Sequence, residues 1–591
     1  MKFAIITAAI LLVSIQSFCQ SELLISNSTR NDTSLIFGDK KNELPGQWKN
    51  SPGANSYTTV SQISLNNSEQ THHGTGKSAT LITSFDGLGY GFEGPQGTSY
   101  QRNPSDNSLA VGPDYIMQTV NSQMAIFTKK GDKFNESGTV LYGPVETRNV
   151  FRGFGGPCEE MNNGDAVVRY DQLARRWLIV MPIFRRVPKH ENESGPGRNG
   201  EPARLSMPGN KGQPGKAELL YQPVKIPPAE QAQADSIRRL NRTTAPAEGS
   251  YCMCYAISTG PDPFGPYYRY EFVRPLFPDY PRPAVWPDGY YVTSSTGDKV
   301  IQKHACVVER SEMLKGNPAQ EICFIIDSVN FIINADIDGL QIPANGSPNI
   351  MMAAGGTQLK NVFIDNGIYV WKIKPDWANP EQSILEGPEK IEVYEYSYQG
   401  DGQLKAAVSQ PGTSQRLDTQ GDKIMSRVVY RRMGNQQSLI AVHSVKPVST
   451  GTGGIRWYEF RIDRKNNVSL FQEGTYAPDS LYRFLPSPAM DKHGNIGIGY
   501  TVGGPYVYPG QRFAGRLAGD PKGILTMKET SLVEGEASQV NNLRWEDYTQ
   551  TAVDPSDDMT IWYVGDYLKK GANSYSTRIG AFRLDNRSNV K

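Results

Sequence analysis

The sequence lacks several features that mark common classes of protein. Its 61 basic and 60 acidic side chains nearly cancel, and it has no long basic run, which argues against a nucleic-acid partner because such proteins concentrate Lys and Arg against phosphates. Beyond the N-terminus no stretch approaches roughly 18 uninterrupted apolar residues, so we expect no transmembrane segment. Six histidines are scattered and no Cys-x-x-Cys pair occurs, which argues against structural zinc.

Familiar catalytic motifs are missing as well. The chain has no Gly-x-Ser-x-Gly elbow, no His-Glu-x-x-His helix and no Gly-x-x-x-x-Gly-Lys loop. These absences disfavour serine hydrolases, zinc proteases and nucleotide-dependent enzymes. The sequence is instead rich in Gly (58), Pro (40) and Tyr (30), with 38% hydrophobic residues. This composition is typical of a turn-rich all-β protein with a large core.

The N-terminus has the pattern of a secretory signal peptide. A basic residue precedes an apolar run at residues 3–15, and small residues occupy positions 17 and 19, which a signal peptidase reads. We therefore expect a signal peptide of residues 1–19, cleavage after Cys19, and a secreted, periplasmic or cell-surface protein. The alternative, a lipidated Cys19, fits less well because Gln16 and Phe18 stand where Leu and a small residue are preferred.

A repeated pattern of short strands follows a polar segment. Residues 20–78 are rich in Ser, Asn and Thr, and we expect this segment to be partly disordered. From residue 79 onward a four-stranded unit recurs roughly every 55 to 80 residues. Its predicted first strands begin near Asp106, Asp165, Asp279, Asp338, Asp422, Tyr482 and Asp547. The pattern predicts an all-β, seven-bladed β-propeller of four-stranded antiparallel blades over residues 79–591.

The two ends of the repeat predict how the ring closes. The last repeat has three strands without a fourth, and a strand-like segment at residues 79–85 precedes the first repeat without a partner. We therefore expect the N-terminal strand to complete the seventh blade and close the ring. Two stacked β-sandwiches are the rival architecture.

Blade two carries a Pro/Gly-rich insertion at residues 185–250, between its second and third strands. Its composition predicts a mostly unstructured segment. A connection from second to third strand emerges at the end of the ring where the first strands begin. A loose cover over a site at that end and a plain surface loop are both open interpretations.

Two cysteines are predicted to face each other across neighbouring strands. Cys306 and Cys323 fall on the predicted third and fourth strands of blade three, on either side of a turn, so we expect a disulfide between them. Cys158 with Cys252 or Cys254 is the next candidate pair. Because five cysteines follow the signal peptide, one stays unpaired or joins another chain.

Short segments in most of the repeats resemble a known family. They are NSLAVGP at residues 107–113 with QTVN at 118–121, RRW at 175–177, WPDGYY at 286–291, GIRWYE at 454–459, and DP at 554–555 with WY at 562–563. From about residue 85 to the C-terminus the chain resembles an uncharacterised group of secreted bacterial proteins that is similar to the sialidase-type propeller superfamily. The resemblance implies a propeller fold, a bacterial source and secretion, and it supplies no catalytic residues.

The six aspartates at the predicted strand starts form the main candidate site. In a propeller the innermost strands line the channel, so Asp106, Asp165, Asp279, Asp338, Asp422 and Asp547 are expected around one rim. Such a rim needs compensating charge, and calcium is a candidate because it prefers carboxylate and carbonyl oxygens. Asp165 and Asp338 are the candidate metal ligands. The alternative is that each aspartate simply bonds backbone amides in its turn.

Three arginines could supply the opposite charge. Arg427, Arg483 and Arg544 belong to consecutive repeats, and their guanidinium groups could fork around the carboxylate of an acidic sugar. The alternative is that they only neutralise the aspartates.

An enzyme using this funnel would need a nucleophile and an acid–base pair. Tyr548 or Tyr482 is the candidate nucleophile, Glu546 its base, and Asp106 the acid across the ring.

These residues lead to three hypotheses. The first is an exported propeller that binds a glycan or another extracellular polymer at its carboxylate-lined face. The second is a sialidase-like glycoside hydrolase or lyase using the same funnel, and the third is a protein-interaction scaffold acting through residues 185–250. The sequence leaves enzymatic activity open.

Overall fold

The computed structural model describes residues 22–37, 68–162, 164–183, 251–274, 278–295, 302–327, 331–356, 365–401 and 406–585. The predicted signal peptide at residues 1–19 and the predicted insertion at residues 185–250 lie outside the described residues. Within the described ranges the protein is all-β, as its turn-rich composition predicts.

Thirty-five strands are assigned in chain order. Before the repeats lie β1 (Glu22–Asn27), β2 (Arg30–Thr33), β3 (Glu69–Gln70), β4 (Thr80–Gly87), β5 (Glu93–Gly94) and β6 (Gly97–Thr98). Unit 1 contains β7 (Ser108–Val111), β8 (Tyr115–Val120), β9 (Gln123–Thr128) and β10 (Val140–Glu146). Unit 2 contains β11 (Val167–Asp171), β12 (Arg176–Ile183), β13 (Tyr251–Ser258) and β14 (Tyr267–Arg274). Unit 3 contains β15 (Asp279–Trp286), β16 (Gly289–Ser295), β17 (Gln302–Val308) and β18 (Gln320–Asp327).

The C-terminal half continues the same plan. Unit 4 contains β19 (Ile333–Asp338), β20 (Asn349–Gly355), β21 (Gly367–Lys374) and β22 (Ile384–Ile391), and is followed by the hairpin β23 (Ala406–Gln410) and β24 (Thr413–Asp418). Unit 5 contains β25 (Val428–Met433), β26 (Gln436–Val445), β27 (Gly454–Ile462) and β28 (Val468–Tyr476). Unit 6 contains β29 (Tyr482–Met490), β30 (Ile496–Gly504), β31 (Val507–Arg516) and β32 (Thr530–Val533). Unit 7 contains β33 (Gln550–Val553), β34 (Ile561–Tyr567) and β35 (Ser576–Arg583), joined by β4.

Helix is scarce in the described ranges. The α-helices are α1 (Pro157–Glu160) and α2 (Arg310–Met313), and single 3-10 turns cover Thr147–Phe151, Pro380–Gln382 and Gln399–Asp401. None of the helices in this part of the chain is long and apolar enough to cross a membrane.

Neighbouring units pack face to face. The strands β8 and β9 are buried along their whole length, because each unit has a neighbour on both faces. Leu178 and Tyr255 of unit 2, for example, pack with Val285 and Tyr290 of unit 3. Burying one large apolar side chain contributes roughly 1.5–3 kcal/mol, so the interfaces between units form the core.

The first strands of the units follow one another in a cycle. Contacts run from β7 through β11, β15, β19, β25, β29 and β33, and from β33 back to β7. In addition, β19 and β25 pair in parallel. The N-terminal strand β4 pairs antiparallel with β35, from Gly87 opposite Thr577 to Thr80 opposite Arg583.

Residues 22–37 differ from the loosely packed segment that their polar composition predicts. The strand β1 pairs with β18 and β2 pairs with β14, so both cover outer edges that would otherwise expose unpaired backbone groups. Asp32 accepts two hydrogen bonds from Arg269, at 2.6 and 2.7 Å. Phe37 is buried against the rings of Tyr142 and Tyr267. These contacts attach the segment firmly to units 2 and 3.

The structure contains two disulfides. Cys306 and Cys323 stand opposite each other in the pairing of β17 with β18 and are bonded, as the sequence predicts. Cys158 of α1 is bonded to Cys254 of β13, with 5.9 Å between their Cα atoms. Cys252 is a buried free thiol.

Candidate functional site

Several first strands begin beside a residue in the left-handed backbone region. The φ angles are 50° at Asp106, 54° at Asp165, 53° at Tyr280 and 71° at Asp547. Aspartate tolerates this conformation better than most residues, whereas a bulky residue such as tyrosine rarely adopts it. Each such position costs roughly 1–3 kcal/mol, and strained positions concentrate at functional sites.

Five charged side chains meet at this end of the first strands. They are Asp106, Asp165, Asp279, Asp547 and Arg544, and we call them the strand-start cluster. Asp165, Asp279 and Arg544 are half-buried, whereas Asp106 and Asp547 are buried. The half-buried groups can reach a ligand, and the buried groups support them.

Asp106 and Asp165 form a coupled carboxyl pair. The two carboxyl groups lie close enough for the charge of one to disfavour that of the other, and Asn121 donates to Asp106 Oδ2 at 2.6 Å. Burial, with added repulsion from Asp279 and Asp547, raises the pKa of Asp165 to about 7. Burial and the neighbouring carboxylates hold the pKa of Asp106 well above its usual range. Asp165 therefore keeps its proton to a higher pH than a free aspartate does, and a protonated carboxyl can donate as well as accept hydrogen bonds.

A chain of polar contacts ties Asp422 to the cluster. Arg544 and Gln420 both donate to the carboxylate of Asp547. The Gln420 carbonyl accepts from Lys423, whose ammonium also binds Asp422 at 2.7 Å. Five of the six aspartates predicted at the rim are therefore connected.

The expectation for Asp338 is wrong. The strand β19 begins at Ile333 and ends at Asp338, so this residue stands at the far end of its first strand. In unit 4 the apolar residues that start the strand precede the aspartate, whereas in units 1, 2, 3, 5 and 7 the aspartate comes first. Asp165 and Asp338 therefore lie at opposite ends of their strands and do not form the predicted metal site.

Asp338 belongs instead to a buried set of ion pairs. Arg427 donates to Asp336 at 2.9 Å and to Asp338 at 2.7 Å, and Arg169 Nε lies 3.3 Å from Asp336. Arg427 also donates to the carbonyl of Thr551, on β33. We call Arg169, Asp336, Asp338 and Arg427 the interior network. It links first strands from four units.

The three predicted arginines do not share a pocket. Arg427 is bound within the interior network, and Arg544 binds Asp547 in the strand-start cluster. Arg483 pairs with Asp479 at 2.8 Å and with Glu529 at 2.9 Å, within unit 6. Each guanidinium is consumed by a different set of carboxylates, so the predicted fork around an acidic sugar is wrong.

The structure does not bring together the predicted Tyr–Glu pair. Glu546 accepts from Gln511 at 2.7 Å between units 6 and 7, and burial with the nearby Asp566 raises its pKa well above its usual range. The ring of Tyr548 lies against Arg282 instead, 3.3 Å from the guanidinium carbon to the ring centroid. Tyr482 begins β29 and packs on the apolar cluster that contains Tyr548.

Sequence reasoning missed a group of buried cations beside the cluster. Arg282 lies 3.9 Å from the centroid of the Tyr280 ring, and Lys303 lies 4.9 Å from that of Phe331. Regular strand alternation would place Asp279 and Arg282 on opposite faces of β15, so no signal in the sequence pointed to Arg282.

Calcium at the strand-start aspartates stays a prediction. Among the described residues, one set of three His, Cys, Asp or Glu ligand atoms lies within 4.8 Å of one another, at Cys306, Glu321 and Cys323. Two of these are the sulfurs of a disulfide. Calcium takes roughly six to eight oxygen ligands, so carbonyl or water oxygens would have to add to the strand-start carboxylates.

Comparisons with known proteins reveal remote likeness only. No protein-family model matches the chain, and no curated protein matches it. The WD40 domain of SCAP from fission yeast is 7% identical with a TM-score of 0.30, covering 80% of this chain and 84% of that one. Polysaccharide lyase Uly1 is 9% identical with a TM-score of 0.28, covering 88% and 100%. A glycoside hydrolase is 9% identical with a TM-score of 0.26, covering 53% and 89%.

Proposed function

We propose that the protein is an exported, closed seven-bladed propeller that binds a glycan or another extracellular polymer at its strand-start cluster. The cyclic order of the first strands and the pairing of β4 with β35 support the ring. The two disulfides support export, because such bonds persist in oxidising compartments.

One observation carries the binding proposal: charged side chains from several units converge in a place where burying their charges opposes folding. Burial raises the pKa of Asp106, Asp165 and Asp279, so burying their charged forms opposes folding. The backbone adds strain at Asp106, Asp165 and Asp547. Perturbed carboxyl groups on a strained backbone are typical of ligand sites.

The chemistry of the cluster suits sugar hydroxyl groups. An ionised carboxylate accepts hydrogen bonds, a protonated one donates, and a guanidinium donates in a fixed fork. Asp165, Asp279 and Arg544 are the half-buried members that would meet such hydroxyls. The hydrolase hypothesis loses support, because the three arginines are separated and Glu546 points away from Tyr548.

A glycan array with the purified protein tests the proposal, followed by titration calorimetry on the best ligand. Asp165→Asn and Asp279→Asn should each weaken binding roughly tenfold, the typical cost of a lost charged hydrogen bond. The matched control is Asp132→Asn, at an exposed turn between third and fourth strands and so at the opposite end. No binding on the array, or equal affinities for all three variants, would overturn the proposal.

A further inference from the structure

Among the residues that the structure describes, Arg282 is a buried cation without an acid partner. Its side chain is 1% exposed, and none of its three nitrogens meets a hydrogen-bond acceptor among the described residues. It sits in the angle between the rings of Tyr280 and Tyr548, whose planes are 81° apart. Aromatic faces attract a cation, but they do not accept the in-plane N–H bonds of a guanidinium.

The comparable arginines each have a hydrogen-bonded acid or carbonyl partner. Six arginines are among the largest fully buried side chains of the described ranges. The other five bind acids or carbonyls: Arg269 with Asp32, Arg274 with Glu321, Arg456 with Glu473, Arg483 with Asp479, and Arg516 with the carbonyls of Asp520 and Pro521. A buried guanidinium normally requires such partners, so Arg282 departs from a rule that this chain otherwise keeps.

The backbone is distorted where it positions Arg282. A bulge interrupts the pairing of β15 between Asp279 and Arg282, and Tyr280 within it has a φ of 53°. Bulges next to binding sites re-aim side chains. The second ring belongs to Tyr548. The residue before it, Asp547, has a φ of 71°. Strain in two separate units therefore converges on one guanidinium.

A second buried cation lies beside this one. Lys303 donates to the Ser295 hydroxyl at 2.6 Å and forms no ion pair within 4.0 Å among the described residues. Burial lowers its pKa well below its usual range, and the nearby cations Lys423 and Arg282 lower it further although Asp279 opposes them. Its ammonium lies 5.9 Å from the centroid of the Tyr280 ring.

Two of the nearby acids are already engaged, and Asp279 accepts a hydrogen bond from the Tyr280 backbone N–H. Asp547 is bound by Arg544 and Gln420, and Asp422 by Lys423. Neither Arg282 nor Lys303 forms an ion pair among the described residues, so an anion carried by the ligand would supply their missing counter-charge.

We propose that Arg282 and Lys303 form a subsite for an anionic substituent of the bound glycan. This inference rests on the proposed glycan-binding function and narrows its ligand to an acidic polysaccharide. A planar guanidinium fork matches an oxyanion edge to edge, and an anion beside Lys303 would favour its protonated form, which adds a second positive charge. A sugar carboxylate and a sulfate ester both present oxygens that a guanidinium fork can bind, so the experiment includes an acidic ligand of each kind.

The experiment compares matched charged and neutral ligands. Hexagalacturonate is set against its fully methyl-esterified form, and a sulfated dextran oligosaccharide against the unsulfated one, by titration calorimetry. The wild type should prefer one acidic ligand to its neutral partner by roughly tenfold or more. Arg282→Met should weaken that ligand roughly 30-fold, as expected for removing one partner of a buried charged pair. The affinity for the neutral partner should not change. Arg464→Met, at an exposed turn at the opposite end of unit 5, is the control.

The possible outcomes separate the two proposals. If the wild type binds acidic and neutral forms equally while Asp165→Asn weakens both, the subsite is refuted and the glycan-binding function stands. If no glycan binds, both fail. Arg282→Lys, which keeps the charge but not the fork, should weaken the acidic ligand roughly tenfold. Arg282→Lys supplies the test if Arg282→Met does not fold. If either variant binds the acidic ligand as tightly as the wild type does, the subsite is contradicted.

Discussion

Arg427 and Arg282 are both buried arginines beside the first strands, yet their surroundings are opposite. Arg427 reaches two carboxylates and a carbonyl of a third unit. Arg282 reaches two aromatic rings and no acid among the described residues. The interior network is therefore complete without a ligand, whereas the region around Arg282 and the strand-start cluster is not.

This difference separates structure from function. Removing one partner from a compensated buried ion pair leaves the other charge buried without a counter-charge, which is costly. Replacing an uncompensated buried cation with an apolar side chain of similar volume costs little, because its desolvation penalty disappears as well. Stability should thus depend on the interior network, and binding on the strand-start end.

The largest expected effect is at Arg427. Arg427→Met leaves Asp336 and Asp338 facing each other without their shared cation, so the free energy of unfolding should fall by about 3–5 kcal/mol. Urea unfolding followed by tyrosine and tryptophan fluorescence measures it. Arg464→Met is the control and should change stability by less than about 0.5 kcal/mol. A loss at Arg427 as small as the control's would remove the structural role of the network.

An Asp→Asn substitution should lower the free energy of unfolding in the interior network and raise it in the strand-start cluster. Asp336→Asn weakens charged hydrogen bonds from Arg427 and Arg169, so stability should fall by about 2 kcal/mol. Asp165→Asn removes a carboxyl whose ionised form is disfavoured by burial, so at pH 8 stability should rise by up to about 1 kcal/mol. Denaturant unfolding of both variants at pH 8 measures the pair. Two losses of equal size would erase the distinction between the regions.

The pH dependence gives the smallest effect. The pKa of Asp165 is about 7 in the folded protein against 3.8 for the free group, so the folded state holds its proton longer than the unfolded state. The contribution of Asp165 to the free energy of unfolding of the wild type therefore falls as the pH rises from about 4 to 7. The advantage of Asp165→Asn over the wild type should grow from pH 5 to pH 8. An advantage that stays constant across this range would contradict the raised pKa.

Much of the architecture was readable from the sequence. Alternating short strands and turns predicted the all-β class, and most predicted first strands lie close to their observed positions. The N-terminal strand without a partner pointed to the pairing that β4 makes with β35. The strands within residues 22–37, which cover the edges of β14 and β18, were not predicted because the polar composition of the segment hides them. Edge pairing depends on distant partners, which local composition does not encode.

The site was harder to predict from the sequence, because it depends on the directions in which the side chains point. A common residue type at a common position suggested six equivalent aspartates, yet Asp338 stands at the opposite end of its strand and binds Arg427. The direction of Arg483 depends on Asp479 and Glu529 within its own unit. Left-handed backbone at Tyr280 and the bulge beside it leave no mark in the sequence, so Arg282 was missed.

The most direct test places Arg282→Met beside Arg427→Met in one urea-unfolding experiment without glycan. We expect Arg282→Met to stay within about 1 kcal/mol of the wild type, since the lost cation–π attraction is offset by the removed desolvation cost. Arg427→Met should lose about 3–5 kcal/mol. Equal, large losses would show that Arg282 is a structural cation like Arg427, and would contradict the assignment of the strand-start end to binding.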